Sequence, residues 1–413
     1  MRDRRGTGSR LEQRGGLLLM RQGRRARPAR APLATATAVA VILYTYAGYP
    51  LLISGLSRRC GGPEPGGQPS EDQLPAMTVL IAAFNEEAAI AARIRNVGAQ
   101  DYPAHKLRVV VVADGSSDRT AEIALELGVA VLWSPSRAGK SAAVNRGMAL
   151  CTSELVCLTD ANCSFLPGAL RALAVRFVDG SVAVVGGAKG VSGGTVQAAG
   201  EGLYWRLESR IKAAESSFGC TSGVPGEICA VRRSVFLPIP TGVINDDFHL
   251  ACDALIRGYQ VRHAPDAVSV EPASATVADE FERRTRIAAG TWQTTLAHLR
   301  LLEPRRGWTA ITFGSHRVLR SVVVPLLLPG LFAGALVRAR GSWPARVLLA
   351  GQLAVYGSAA AGAVTGRRAF AAPLQFALMN LATLRGGMRY LRGTQPAAWR
   401  RVARSGNETE VQR

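Results

Sequence analysis

Residues 33–56 (LATATAVAVILYTYAGYPLLISGL) carry no charged side chain. A helix of that length covers about 36 Å, enough to cross the hydrocarbon core of a bilayer. The run is too long for the core of a cleaved signal peptide and is read as a retained anchor, with a bend expected at Pro50. Two more charge-free runs, 321–337 and 347–365, lie in the C-terminal third, separated by Arg338, Arg340 and Arg346. A fourth, 369–384, is shorter and contains Pro373, Gln375 and Asn380. Those residues are costly against lipid, so this run is expected not to cross fully. Residues 57–75 form a Gly/Pro-rich linker, and 402–413 look disordered.

The net charge of +20 over 413 residues is unevenly placed. Residues 1–30 hold ten arginines against two acids, and 300–413 hold seventeen against three, so the ends carry +8 and +14 and the middle −2. A middle of that charge is not a basic nucleic-acid binder, and the positive ends suit an anionic membrane surface. Arg300, Arg305, Arg306, Arg317 and Arg320 precede the run at 321, which the positive-inside rule reads as cytoplasmic. The seven cysteines form no C-x-x-C pair and read as small, mostly buried residues of a reducing compartment.

Between 77 and 300 apolar β-branched runs (78–84, 107–114, 129–133, 154–160, 181–187) alternate with helical patterns (86–99, 118–128, 141–150, 168–178). Such alternation predicts an α/β fold with a mostly parallel sheet, whose ligands bind beyond the carboxyl ends of the strands. The residues just after the strands are Asn85-Glu86-Glu87, Asp114 to Thr120, Arg137 to Ser141, and Asp160-Ala161-Asn162. One acid at such a place is usually a helix cap; several on one edge repel unless a cation or ligand compensates. Gly139-Lys140-Ser141 ends like a phosphate loop, but Ser134 stands where its first glycine belongs, which argues against a nucleoside triphosphatase.

In order and spacing these segments resemble the family 2 glycosyltransferases, most closely the membrane-embedded branch of cellulose, hyaluronan and poly-N-acetylglucosamine synthases. Ala83-Phe84-Asn85-Glu86 is similar to the family's first-strand nucleotide motif, and Asp114 to its uracil- and ribose-contacting aspartate. Lys140 and Asn145 sit in a G-K-x-x-A-x-N-like segment, and Asp160-x-Asn162 stands in place of D-x-D. Ser222-Gly223 through Arg233 resembles the acceptor floor, and Asn245-Asp246-Asp247 the E-D or D-D pair.

The resemblance implies a GT-A-like (Rossmann-like) domain with N- and C-terminal transmembrane helices. It also implies a membrane-bound inverting transferase that moves a hexosyl or N-acetylhexosaminyl group from a nucleotide-diphosphate sugar, with UDP as the expected nucleotide. The acceptor would be a saccharide or lipid, with a role in polysaccharide synthesis. Asp247 would be the catalytic base. Ala83, Asn85, Glu86, Asp114, Lys140, Asp160, Arg283, Arg284 and Arg286 would hold the donor, and Ser222, Gly223 and Asp246 the acceptor. Asp160 and Asn162 would bind Mg2+ or Mn2+. The chain divides into a basic tail 1–32, a membrane segment 33–56, a linker 57–75, a catalytic domain 76–317, transmembrane or interfacial helices 318–384 and a basic tail 385–413. The catalytic domain is expected to face the cytoplasm of a multi-pass inner-membrane protein, near a G-x-Q-x-x-x-W-like ending at 393–399.

Two departures stand out. Asn162 replaces the second carboxylate of D-x-D, and Q-x-x-R-W is absent: Arg283 and Ile287 replace its Gln and Trp, although Arg286 keeps its arginine. Three readings stay open: a processive transferase, a transferase adding one sugar, and a scaffold with a degenerate metal site. Asp246-Asp247 also suits a plain helix N-terminus, and Arg283, Arg284 and Arg286 a solvated or membrane-surface basic face. Tyr204 and Trp205 fit an amphipathic helix whose aromatics are interfacial or core rather than sugar-stacking.

Overall fold

The computed structural model describes residues 30–62, 69–274 and 276–396. The basic tail before residue 30, the last three residues of the 393–399 ending and the stretch 402–413 lie outside the described residues. Among the described residues, eight strands form one sheet: β1 (Met77–Ala83), β2 (Leu107–Asp114), β3 (Ala130–Ser134), β4 (Leu155–Asp160), β5 (Ser164–Phe165), β6 (Val182–Ser192), β7 (Cys229–Arg232) and β8 (Gln260–Pro272). Their order is β3-β2-β1-β4-β7-β6-β8-β5. The pairs β2–β3, β1–β2, β1–β4 and β6–β8 are parallel; β7 runs against β4 and β6, and β5 against β8.

The sheet is apolar on both faces because both are covered. In β1, Met77, Val79 and Ile81 pack with Ile90, Ile94, Leu170 and Leu173, while Leu80 faces Val144, Met148 and Leu250. Strands β1 to β4 and the helices between them start and stop within a few residues of the sequence expectation. Strands β5, β7 and β8 were not foreseen. Two are short, and β8 (QVRHAPDAVSVEP) contains two prolines and four charged or histidine side chains. Its pairing with β6 jumps from Ala264 to Val268, so Pro265 sits where no ladder donor is required.

Among the described residues, three helices are long and apolar enough to cross a membrane: Leu33–Cys60, Trp308–Arg338 and Trp343–Thr365. The first runs on as helix through Pro50. It widens into one π-helical turn at Tyr44–Gly48, and Pro50 falls in the first turn of the following α-helix, where its missing N–H is tolerated. That helix also continues to Cys60, into the expected linker. Its second half lies on the α/β domain, with Tyr49 and Ile53 buried against Ile211 and Ala214.

The fourth apolar run forms a helix longer than expected, Ala371–Leu391. It packs along the helix Val277–Ala297 through two glycines. A Cβ on Gly386 would stand 2.7 Å from Ala288 Cβ, and one on Gly387 would stand 2.6 Å from Trp292 Cε2. Gly386→Val is therefore expected to destabilise the protein by about 1–3 kcal/mol through overpacking. Thermal unfolding in detergent reads this, and an unchanged midpoint would refute the packing.

Candidate active site

The parallel strands end on one edge, and Ala82 of β1 pairs with Asp160 at the end of β4. A cavity of about 980 Å³ opens beyond it. Asp160, Asn162, Asp246, Asp247, Lys140 and Arg286 all line it. Lys140 begins the helix Lys140–Met148, directly after Gly139 at φ 96°, a conformation open to glycine. Its Nζ stands 2.7 Å from Asp160 Oδ1 and 3.9 Å from Asp246 Oδ2, and donates to Gly226 O at 3.3 Å. Burial opposes the Lys140 charge, but the Asp160 and Asp246 carboxylates outweigh it and raise its pKa.

Asn245 caps the helix Asp246–Ile256, so Asp246 and Asp247 open its first turn. Asn245 Nδ2 donates to Ile287 O at 2.8 Å, which ties this turn to the helix carrying Arg286. Asp247 Oδ1 accepts from the Phe248 N–H at 2.7 Å. A Cβ on Gly226 would stand 3.1 Å from Asp247 Oδ2 and 3.3 Å from Lys140 Nζ, so only glycine leaves this corner open. Burial, and then the Asp246 charge, push the Asp247 carboxyl up to about 6, against the pull of Lys140.

Other sequence-derived candidates take different places. Asp114 is buried and outside the cavity lining. It accepts from the Ala138 and Gly139 N–H groups at 3.0 and 2.7 Å and is paired with Arg146, so it fixes the loop that presents Lys140. Ala83 is core, and Asn85, in the left-handed region at φ 54°, accepts from the Ser117 N–H at 2.9 Å; neither lines the cavity, whereas Glu86 does.

Arg283 and Arg284 line the cavity, but their guanidiniums are taken by carboxylates. Both reach Glu201 Oε1 at 2.6 Å, and they meet Glu280 at 3.0 and 2.5 Å. Burial would raise Glu280, but Arg284 and Arg283 hold it far below the usual range. This is neither a solvated basic face nor an open clamp; Arg286 also lines the cavity, where burial and Arg283 lower its pKa against the opposing charges of Asp160, Asp246 and Asp247.

Ser222 is fully buried and accepts from Arg317 Nε at 3.2 Å; Gly223 lines the cavity, and a Cβ there would run into the Arg317 guanidinium. Tyr204 and Trp205 line it too, edge to face at 5.1 Å, with Lys189 Nζ 5.4 Å from the Trp205 ring. Sequence reasoning missed Arg317, Lys189, Glu227 and Glu271 as site residues. Lys189 pairs with Glu271 and, at 3.0 Å, with Glu227. No local motif marks them, because the partners come from three separate segments.

The residues fit a divalent cation only together with a ligand's own oxygens. Among the described residues no cluster of three or more His, Cys, Asp or Glu is placed to hold one. Yet Asn162 Oδ1 is buried without a hydrogen-bond partner beside the Asp160 carboxylate. One carboxylate, one amide oxygen and diphosphate oxygens form a donor set that Mg2+ or Mn2+ accepts.

The fold and this edge define a GT-A glycosyltransferase architecture. Residues 78–237 match the family model Glycosyl transferase family 2. The match ends before Asp246, Asp247 and Arg286. The chain is 26% identical over 285 residues to an N-acetylglucosaminyltransferase of Rhizobium meliloti, covering 64% of this chain and 66% of the relative. It is 25% identical over 233 residues to a poly-beta-1,6-N-acetyl-D-glucosamine synthase of Staphylococcus aureus, covering 53% and 55%. It thus spans between about half and two thirds of the length of these curated relatives. Among solved structures, a mannosyltransferase from Pyrobaculum calidifontis in complex with GDP-Man and Mn2+ has the same fold. Its TM-score is 0.67 at 24% identity, covering 86% of this chain and 98% of that one.

Proposed function

We propose that this chain is a membrane-bound inverting glycosyltransferase that takes a sugar from a nucleotide-diphosphate donor. UDP-N-acetylglucosamine is the first donor to test, because the relatives named above are N-acetylglucosaminyltransferases and a synthase of that sugar's polymer. The observation that carries the proposal is Asp247: a carboxylate of raised proton affinity in the cavity that also holds Asp160, Lys140 and Arg286.

Asp160 is bound to Lys140 at 2.7 Å and Asp246 lies 3.9 Å from the same ammonium, which leaves Asp247 to accept a proton. Its Oδ2, beside Gly226, takes the proton of the acceptor hydroxyl as that oxygen attacks the anomeric carbon. The bond to the diphosphate breaks on the opposite face, and inversion follows from this single displacement. Lys140 and Arg286 place positive charge where the leaving diphosphate gathers negative charge. A divalent cation held by Asp160 and Asn162 would supply further charge neutralisation to that diphosphate. The arginines before residue 321 support a cytoplasmic side for the α/β domain, where nucleotide sugars are made.

Since Asp247 works as the unprotonated base, turnover should fall as pH drops through about 6, roughly tenfold per unit below it. A flat pH–rate profile between about 5 and 8 would remove Asp247 from that role. Calorimetric titration with UDP, with and without Mn2+, separates the enzyme from a scaffold: a scaffold gives no metal-dependent affinity. A donor screen with product masses then separates single addition from polymerisation.

A further inference from the structure

A second cavity, of about 430 Å³, adjoins the first. Tyr204, Glu208, Arg317, Ser321, Met379 and Thr383 line both, so the two are continuous. Its walls come from the helix Val196–Ser216, the first apolar helix at Tyr46, the π-helical turn Phe313–Val323 and the helix Ala371–Leu391. The Arg320 guanidinium lies 5.9 Å from the Tyr46 ring, and Arg338 bonds Thr35 at the far ends of the same two helices. The cavity therefore sits where the charge-free run 321–337 begins, which on the membrane-bound reading is the level of the membrane surface.

Its chemistry is two-sided. Leu203, Leu207, Phe376 and Met379 supply an apolar wall. Four guanidiniums, of Arg206, Arg210, Arg317 and Arg320, face one lining carboxylate, Glu208. That carboxylate is already shared: Arg320 lies 2.9 Å away, His316 3.2 Å and Arg317 3.7 Å. Arg206 and Arg210 are exposed, and no ion pair reaches them among the described residues. A further group awaits a partner. Gln375 is only 7% exposed and lines the cavity, yet its Nε2 donates to nothing. A buried amide left so is costly, which points to an acceptor atom from outside the chain.

We propose that this cavity holds the phosphate of a lipid-linked saccharide acceptor, with the lipid tail along the apolar wall. The assignment rests on the transferase reading of the first cavity and names its acceptor class. The phosphodiester that joins lipid to saccharide carries one full negative charge at neutral pH, and its two free oxygens can accept from several guanidinium N–H groups at once, whereas a neutral glycan gains nothing from their charge. The phosphate is a handle and not the nucleophile. The saccharide extends past Tyr204 and Arg317 toward Asp247. There its hydroxyl oxygen forms the new bond to the anomeric carbon, its proton passes to Asp247, and the nucleotide diphosphate departs with the electron pair of the broken bond.

The test uses the full chain in neutral detergent and three probes: an alkyl-phosphate-linked N-acetylglucosamine, the alkyl glycoside of the same sugar without phosphate, and the sugar phosphate without the alkyl chain. The first should bind and gain one or more sugars from the donor, and the other two should bind at least about tenfold more weakly. Arg206→Gln with Arg210→Gln should weaken the first probe about tenfold and leave the alkyl glycoside unchanged. Gln375→Leu should weaken it several-fold while holding or raising the unfolding temperature, which a merely structural glutamine would not do. Equal use of the alkyl glycoside, equal binding of the chain-free sugar phosphate, or variants that bind like wild type would overturn the proposal. UDP titration keeps the two readings apart. Metal-dependent UDP binding with no preference for the phospholipid probe overturns this inference alone, and no UDP binding overturns the transferase reading beneath it.

Discussion

Asp247→Asn is expected to lower turnover by about 10²–10⁴ while UDP affinity stays at the wild-type level. The substitution keeps the size of the side chain and the bond from the Phe248 N–H to Oδ1, so the helix start is preserved. It removes a carboxylate whose proton affinity is raised by burial and by the Asp246 charge, and which has no ion pair among the described residues like that of Asp160 with Lys140 at 2.7 Å. Single-turnover measurement with saturating donor reads the effect directly. Wild-type turnover in the Asn variant would end the assignment of this residue as base.

Asp160→Ala should lower Mn2+-dependent UDP affinity by at least about 10²-fold, since even residues that only support a metal ligand cost 10–100-fold. The same change deprives Lys140 of its partner at 2.7 Å, so metal-independent UDP affinity should hold or rise as the ammonium turns to the diphosphate. Asn162→Asp is the companion variant. Its amide oxygen is already buried and unpartnered, so a carboxylate there should keep or raise metal affinity. Equal Mn2+ enhancement in wild type and Asp160→Ala would discard the metal role.

The first half of the α/β domain was legible because its signals are local. Each parallel strand is a short β-branched run, each following helix has its own period, and Asp160 and Lys140 lie at element ends where ligands gather. The second half was not. Strands β5, β7 and β8 owe their place to neighbours, and β8 reads as a polar loop until β6 pairs with it. The arginines of 283–286 show the same limit. Sequence placed Arg283 and Arg286 on one face, but Glu201 and Glu271, which claim Arg283, sit 82 and 12 residues away. Asp114 was assigned to the nucleotide by resemblance; in the fold it accepts from the backbone next to Lys140.

The contacts between the apolar helices and the α/β domain also impose an order in time. Tyr49 donates to Glu215 at 2.6 Å across 166 residues of chain, and Glu215 meets His316 at 2.7 Å across another 101. At ribosomal speeds of about 5–20 residues per second, Tyr49 waits on the order of tens of seconds before the cluster is complete. During that interval Glu215 lacks His316, and the face of the Val196–Ser216 helix that meets Trp308–Arg338 is uncovered. The nascent domain thus emerges as an unfinished surface tethered at its upstream end. Slowing elongation after residue 216 should lengthen its exposure to proteases, while slowing it after residue 338 should not.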